Sequence, residues 1–171
     1  MTDLMMLAAL LDGPKHGYAL KKWSGVITGK VEVHNNLVYP LLKRFVAEGW
    51  VGRHKAAGKR GQTREVYSLT SKGKRVLLDR LAGFGEKEAA SAEAFCLRTG
   101  MFGVLDPEQR LEIMKVRDKW LQGRAQKLAA IARNMPLDEW ARETVGYLQR
   151  QAEEERKWLA GLKRLAMNRD K

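Results

Sequence analysis

The chain has 171 residues, 44% hydrophobic and 30% charged, a globular balance that excludes a disordered polypeptide. No apolar run approaches the roughly 18 residues that a membrane span needs, and the single Cys96 can close no internal disulfide, which fits a reducing compartment. Lys and Arg outnumber Asp and Glu 32 to 20, and the excess is uneven: residues 1–75 hold 14 basic and 5 acidic side chains, residues 76–171 hold 18 and 15.

So basic an N-terminal half suggests a polyanionic partner, either nucleic acid or an anionic membrane surface. The first residues carry neither a basic start nor a small-residue cleavage site, so they read as domain sequence rather than a signal peptide. Cytoplasm is the expected compartment.

Leu4, Leu7, Ala8 and Leu11 recur at the spacing of a helix that buries one face, and Gly13-Pro14 ends it. A second helix is expected from about His16, with Leu20, Trp23 and Ile27 on its apolar face and Gly29 as its stop. In a third, Val38, Leu41, Leu42 and Phe45 form an apolar back, while Asn36, Tyr39 and Lys43 form a polar front. Asn35 and Asn36 stand where a helix start needs side-chain acceptors, and Gly49 follows as a stop. Two short strands are expected next, Trp50 to His54 and Arg64 to Leu69, joined by a basic, Gly-rich loop through Lys55, Gly58, Lys59, Arg60 and Gly61. Helix, helix, helix, hairpin is the order of a winged helix-turn-helix.

Thr70 or Ser71 caps the next predicted helix, which carries Leu77, Leu78 and Leu81, and Gly83-Phe84-Gly85 breaks it. The break divides the chain into an expected winged-helix domain, 1–83, and a helical domain, 84–171. A helix around 87–104 is interrupted by Gly100 and Gly103. Asp106-Pro107-Glu108 is a strong start signal for a long helix, in which Met114, Leu121, Leu128 and Met135 are spaced by seven. Met135-Pro136 ends it. A last helix from about Asp138 to Met167 repeats the pattern through Ala141, Val145, Leu148, Ala152, Leu159, Leu162 and Ala166, interrupted by Glu155. The predicted fold is thus mainly α with a small β-hairpin, an N-terminal winged helix-turn-helix followed by long antiparallel helices. Stripes this long need each other and a second copy of the chain. The expected dimer residues are Met114, Leu121, Leu128, Leu148, Leu159 and Leu162.

His16-Gly17-Tyr18-Ala19-Leu20, Val38-Tyr39-Pro40-Leu41-Leu42, Glu48-Gly49-Trp50-Val51 and Val66-Tyr67-Ser68-Leu69-Thr70-Ser71-Lys72-Gly73 follow one another in an order that resembles the PadR family of transcriptional regulators. Phe95-Cys96-Leu97-Arg98 and the two long helices after it look like the longer subfamily, whose C-terminal helices dimerise. The resemblance implies a homodimeric repressor whose third helix enters the major groove while the wing touches backbone or minor groove. It also implies release by a small aromatic or phenolic effector. It places Tyr39 on the DNA face, with Asn36 before it and Lys43 a turn later. Leu37 departs from the small or polar residue common at its position in the family, although leucine can touch a thymine methyl.

Duplex binding needs cations that neutralise phosphates and a few side chains that read base edges. Expected for the first role are Lys15, Lys21, Lys43, Arg44, Lys55, Lys59, Arg60 and Arg64; for the second, His34, Asn35, Asn36 and Tyr39, with His16 nearby. For the asparagines plain helix capping is the competing reading, for Tyr39 mere cover of the domain edge, and for the loop cations a solvated turn. Tyr18, Phe95, Trp120, Trp140 and Tyr147 could line an effector pocket, or simply be core or interface aromatics.

Catalysis finds little support. His16, His34 and His54 are scattered, no metal-ligand spacing links them to Cys96, and no phosphate-binding glycine loop or paired nucleophile and base stands out. No cofactor and no membrane partner are expected. An adaptor module that binds protein through its winged helix is the alternative, for which a less basic first half would be expected.

Overall fold

The computed structural model describes residues 2–20, 35–57 and 63–168, with the side chains of 35, 36, 57, 63 and 168 outside the description. Contacts divide the chain into two units. One runs to Gly83 and includes Cys96–Val104; the other holds Phe84–Phe95 and everything from Leu105 onward.

In the first unit, α1 (Thr2–Ala8) is followed by β1 (Lys15–His16), a helical turn over 17–20 (α2), α3 (Asn35–Ala47), β2 (Val51–Ala57), β3 (Thr63–Leu69) and α4 (Ser71–Ala82). Leu7 of α1, Leu20, Leu42 and Phe45 of α3, and Leu77 and Leu81 of α4 are each at most 1% exposed and make the core. Gly13 takes a left-handed φ of 115° after α1, which a side chain would resist.

The sheet has three antiparallel strands in the order β1-β3-β2. The hairpin was expected; the third strand was not. Lys15 and His16 pair with Tyr67 and Val66, so His16 lies in a strand and the helical turn starts one residue later. The pairing covers part of the edge of β3, whose backbone polar groups would otherwise stay open.

The residues after the wing explain their own motif. The Thr70 hydroxyl accepts the Gly73 N–H at 3.0 Å and caps α4, while standing 2.8 and 3.0 Å from the carbonyls of Gly49 and Trp50. A Cβ on Gly73 would stand 1.9 Å from the Trp50 carbonyl oxygen, so only glycine fits there.

The second unit contains α5 (Glu86–Ala89), α7 (Pro107–Asn134) and α8 (Glu139–Asn168), and α6 (Ala92–Thr99) is divided between the units after Phe95. The helix expected around 87–104 is thus broken into α5, α6 and a 3-10 turn at Phe102–Val104. The unit boundary also differs from a single cut after residue 83, because Cys96–Val104 belongs with the first unit. Arg98 gives one reason: its guanidinium donates to the carbonyls of Leu81 and Gly83 at 3.2 and 2.9 Å, satisfying the open end of α4.

Asp106 starts α7 as its sequence foretells, accepting the Gln109 N–H at 2.9 Å while Gln109 reaches back to the Asp106 N–H at 3.3 Å. Met114, Leu121 and Leu128 of α7 and Ala152, Leu159 and Ala166 of α8 are all buried within the single chain. One partner relieves the break at Glu155. Arg117, 2% exposed on α7, donates to both of its carboxylate oxygens, and the same guanidinium caps the Ala89 carbonyl at the end of α5. The residues expected to form a dimer seam differ in their exposure within the single chain. Of the six, Met114, Leu121, Leu128 and Leu159 are buried within the single chain, and Leu148 and Leu162 keep partial exposure.

Candidate nucleic-acid interface

The amphipathic pattern of α3 decides what it offers to solvent. Val38, Leu42 and Phe45 are at most 1% exposed, while Tyr39 is 49% and Leu37 48% exposed, and Lys43 stands free on the same outer side as Tyr39. The Tyr39 ring lies over Gly17. A Cβ there would stand 3.1 Å from the Tyr39 Cε1, which accounts for a glycine beside His16.

The hairpin register fixes the other wall. Arg53 stands opposite Tyr67, Lys55 opposite Glu65, and Lys15 opposite Tyr67 from the other side. Residues paired across strands share a face, as do residues two apart, so Lys15, Arg53, Lys55, Glu65 and Tyr67 all belong to one face of the sheet. Its strand bearing Arg53 and the polar front of α3 enclose a hollow of about 270 Å³, lined by Tyr39, Lys43, Val46, Arg53, Glu65 and Tyr67.

Glu65 is the acidic member of that lining. Its Oε1 accepts from Arg53 Nη1 at 3.1 Å and its Oε2 accepts from the Tyr67 hydroxyl at 2.8 Å. Burial, that hydrogen bond and the Glu65 charge together push the Tyr67 hydroxyl up to about 12, against a smaller opposing pull from Arg53. Tyr67 therefore stays a donor across the physiological range.

The sequence-predicted cations part company here. Lys43, Lys55 and Arg64 are exposed and make no ion pair with a described residue, and Lys15 is half-exposed at the strand edge. Arg44 is engaged elsewhere. It pairs with Asp3, which also holds Arg80 at 3.3 Å, so it braces α3 against α1 and α4. His16 stands with its Nδ1 3.3 Å from the Glu65 carbonyl, a contact within the sheet. Lys21, His34, Lys59 and Arg60 lie outside the described residues, as do the side chains of Asn35 and Asn36, although both asparagines begin α3. Arg53 and Glu65 were not foreseen. Both fall inside predicted strands, but only the pairing register puts them on the α3 side.

The aromatics named for an effector pocket separate as sharply. Phe95 is core, 0% exposed, with Phe84 at 6.0 Å and Trp158 edge-on at 5.7 Å between ring centres. Tyr18, Trp140 and Tyr147 are open to solvent at 73%, 82% and 58%. Trp120 borders a hollow of about 590 Å³ along α7, with Val116, Gly123, Leu128, Lys119 and Arg124 among its walls. The guanidiniums of Arg117 and Arg124 stand 4.8 and 5.3 Å from its ring centre. Among the described residues, no three His, Cys, Asp or Glu side chains gather as a metal site, and no helix is long and apolar enough to cross a membrane.

Residues 6–79 match the family model described as the Transcriptional regulator PadR-like family. No curated protein sequence matches the chain. Among solved structures, a transcriptional regulator from Thermoplasma acidophilum is 33% identical over 46% of this chain and 75% of its own, with a TM-score of 0.43. A PadR family transcriptional regulator from Eggerthella lenta is 31% identical over 47% of this chain and 68% of its own, with a TM-score of 0.41. Bacillus subtilis PadR has been solved with operator DNA (16% identical, 95% of this chain and 96% of that one, TM-score 0.47). It has also been solved with p-coumaric acid (16% identical, 97% and 98%, TM-score 0.43).

Proposed function

This chain belongs to the PadR-like family of transcriptional regulators, and from that premise we propose that it is a homodimeric, ligand-responsive repressor that binds a two-fold site on duplex DNA. The polar front of α3 enters the major groove, where Tyr39 meets base edges or sugar and Lys43 meets backbone. The wing sheet follows the adjacent phosphates through Lys15, Lys55 and Arg64, joined by Lys59 and Arg60.

One observation carries this reading. The exposed side of α3 and one face of the sheet bring Lys43, Arg53, Lys55 and Lys15 to the same side of the first unit, beside the half-exposed Tyr39. A surface that is cationic and polar, rather than apolar, suits a phosphate backbone better than a protein partner.

Pairing of two copies through the C-terminal helices sets the spacing of the two reading heads, so half-sites one or two helical turns apart follow. For the effector, the hollow beside Trp120 joins an aromatic wall to Lys119 and Arg124, a combination that suits an aromatic acid such as the one bound by the Bacillus protein.

A mobility-shift titration of the full chain against duplex DNA, single-stranded DNA and RNA at several salt concentrations tests the proposal. Preference for duplex with a steep salt dependence is expected; equal binding to all three, or none, overturns it.

A further inference from the structure

We propose that Arg53 and Lys43 form a seat for one backbone phosphate of duplex DNA, and that Glu65 and Tyr67 are positioning residues that hold the Arg53 fork at the rim of that seat. The inference rests on the DNA-binding reading above and names a phosphate site within it.

A carboxylate on a surface that meets phosphates is at first sight misplaced. Charge alone makes Glu65 a repulsive group there. Its geometry gives it another task, because both of its oxygens are engaged: Oε1 by Arg53 at 3.1 Å, Oε2 by the Tyr67 hydroxyl at 2.8 Å. Tyr67 is 5% exposed and anchored in the sheet directly opposite Arg53, so the chain Tyr67–Glu65–Arg53 runs from the domain interior to its surface. The Arg53 side chain is still 53% exposed, and the contact with Glu65 uses Nη1, which leaves Nε–H and Nη2–H to a second acceptor. Across the hollow stands Lys43, exposed and without a described acidic partner. Two cations from different elements face a hollow of about 270 Å³, one as a fork and one as a point charge, an arrangement that suits a tetrahedral oxyanion.

Long cationic side chains give up rotamer freedom when they bind. Arg53 has surrendered part of that freedom before DNA arrives, because Glu65 already holds one end of its guanidinium. The repulsion between Glu65 and the phosphate is offset by this pre-ordering.

The two roles of Glu65 predict opposite signs. If it merely adds negative charge, Glu65→Ala tightens binding to DNA. If it positions Arg53, the same change weakens binding although the surface becomes more positive. The experiment uses the full chain and a random-sequence 30-base-pair duplex, since a phosphate contact is independent of sequence, and reads affinity at four salt concentrations. Expected are a log–log salt slope lowered by about 0.9 in Arg53→Gln, several-fold weaker binding in Glu65→Ala, and partial recovery in Glu65→Gln, which keeps an acceptor. In Arg53→Gln, adding Glu65→Ala should cause no further loss. Equal or tighter binding by Glu65→Ala, or a wild-type slope in Arg53→Gln, overturns the seat while leaving DNA binding intact. A wild-type chain that ignores the duplex overturns the underlying reading and this inference with it. Thermal unfolding of each variant separates loss of fold from loss of contact.

Discussion

Arg117 on α7 donates from Nε and Nη2 to the two carboxylate oxygens of Glu155 on α8, at 2.7 and 2.6 Å, in a site where Arg117 is 2% and Glu155 16% exposed. Its third contact, to the Ala89 carbonyl, ties α5 to the same point, and the Phe95 and Trp120 rings flank it at 5.8 and 4.8 Å. Removing one partner strands a buried charge. Glu155→Ala should therefore cost about 3–5 kcal/mol, whereas Arg117→Met with Glu155→Leu should cost less than either single change. Urea unfolding of the three variants checks this; additive losses would show that the pair is not a coupled unit.

Gly17 lies beneath the Tyr39 ring, and the ring is half open to solvent, so it can yield to a methyl group. Gly17→Ala should change stability by no more than about 1 kcal/mol while displacing Tyr39 and lowering duplex affinity. Melting curves and a shift assay read the two effects separately. Unchanged affinity would show that the position of the ring does not matter for binding.

Burial works to raise the Asp118 carboxyl, but hydrogen bonds from Arg156 and Lys163 at 2.9 and 3.1 Å outweigh it and hold the group below the ordinary carboxylate range. A carboxyl lowered in the folded state adds stability above its unfolded pKa of about 3.9 and loses that contribution as pH falls through its folded value. Asp118→Asn should thus be less stable than wild type at neutral pH. The two unfolding midpoints should converge as pH drops below about 4, and parallel pH curves would refute the link.

Trp140 and Tyr147 are seven residues apart, so they share one side of α8, and both are exposed, at 82% and 58%. The homodimer proposed above gives them a partner. Trp140→Ser combined with Tyr147→Ser should shift the chain toward monomer in sedimentation equilibrium while its helix content holds. An unaltered dimer would place the contact elsewhere on the helices.

Saturable quenching of tryptophan fluorescence by an aromatic acid, lost in Trp120→Phe, is the expected sign of an effector in the α7 hollow. Quenching that survives in the variant moves the site away from Trp120; none at all leaves Trp120 a packing residue.

The positions of α1, α3, α4, α7 and α8, the Thr70 and Asp106 caps and the apolar back of α3 were legible because each follows from local chemistry: spacing, capping side chains and backbone freedom set within a few residues. The Glu155 interruption was legible too, but only as an anomaly. Its explanation sits 38 residues away on another helix, and no local pattern pairs the two. The same limit governs the surface. Sequence placed Tyr39 and Lys43 on one side of α3 by helical period, yet it gave Arg53 no more weight than any strand residue and did not foresee the pairing of Arg44 with Asp3.

Strand register and helix contacts decided those matters. A shift of one residue in the pairing of β2 with β3 would turn Arg53 to the opposite face, and Asp3 captures Arg44 only because α1 packs against α3 and α4. What lies within one turn or one cap is written in neighbouring residues; what depends on which distant side chains meet is set only when the chain closes on itself.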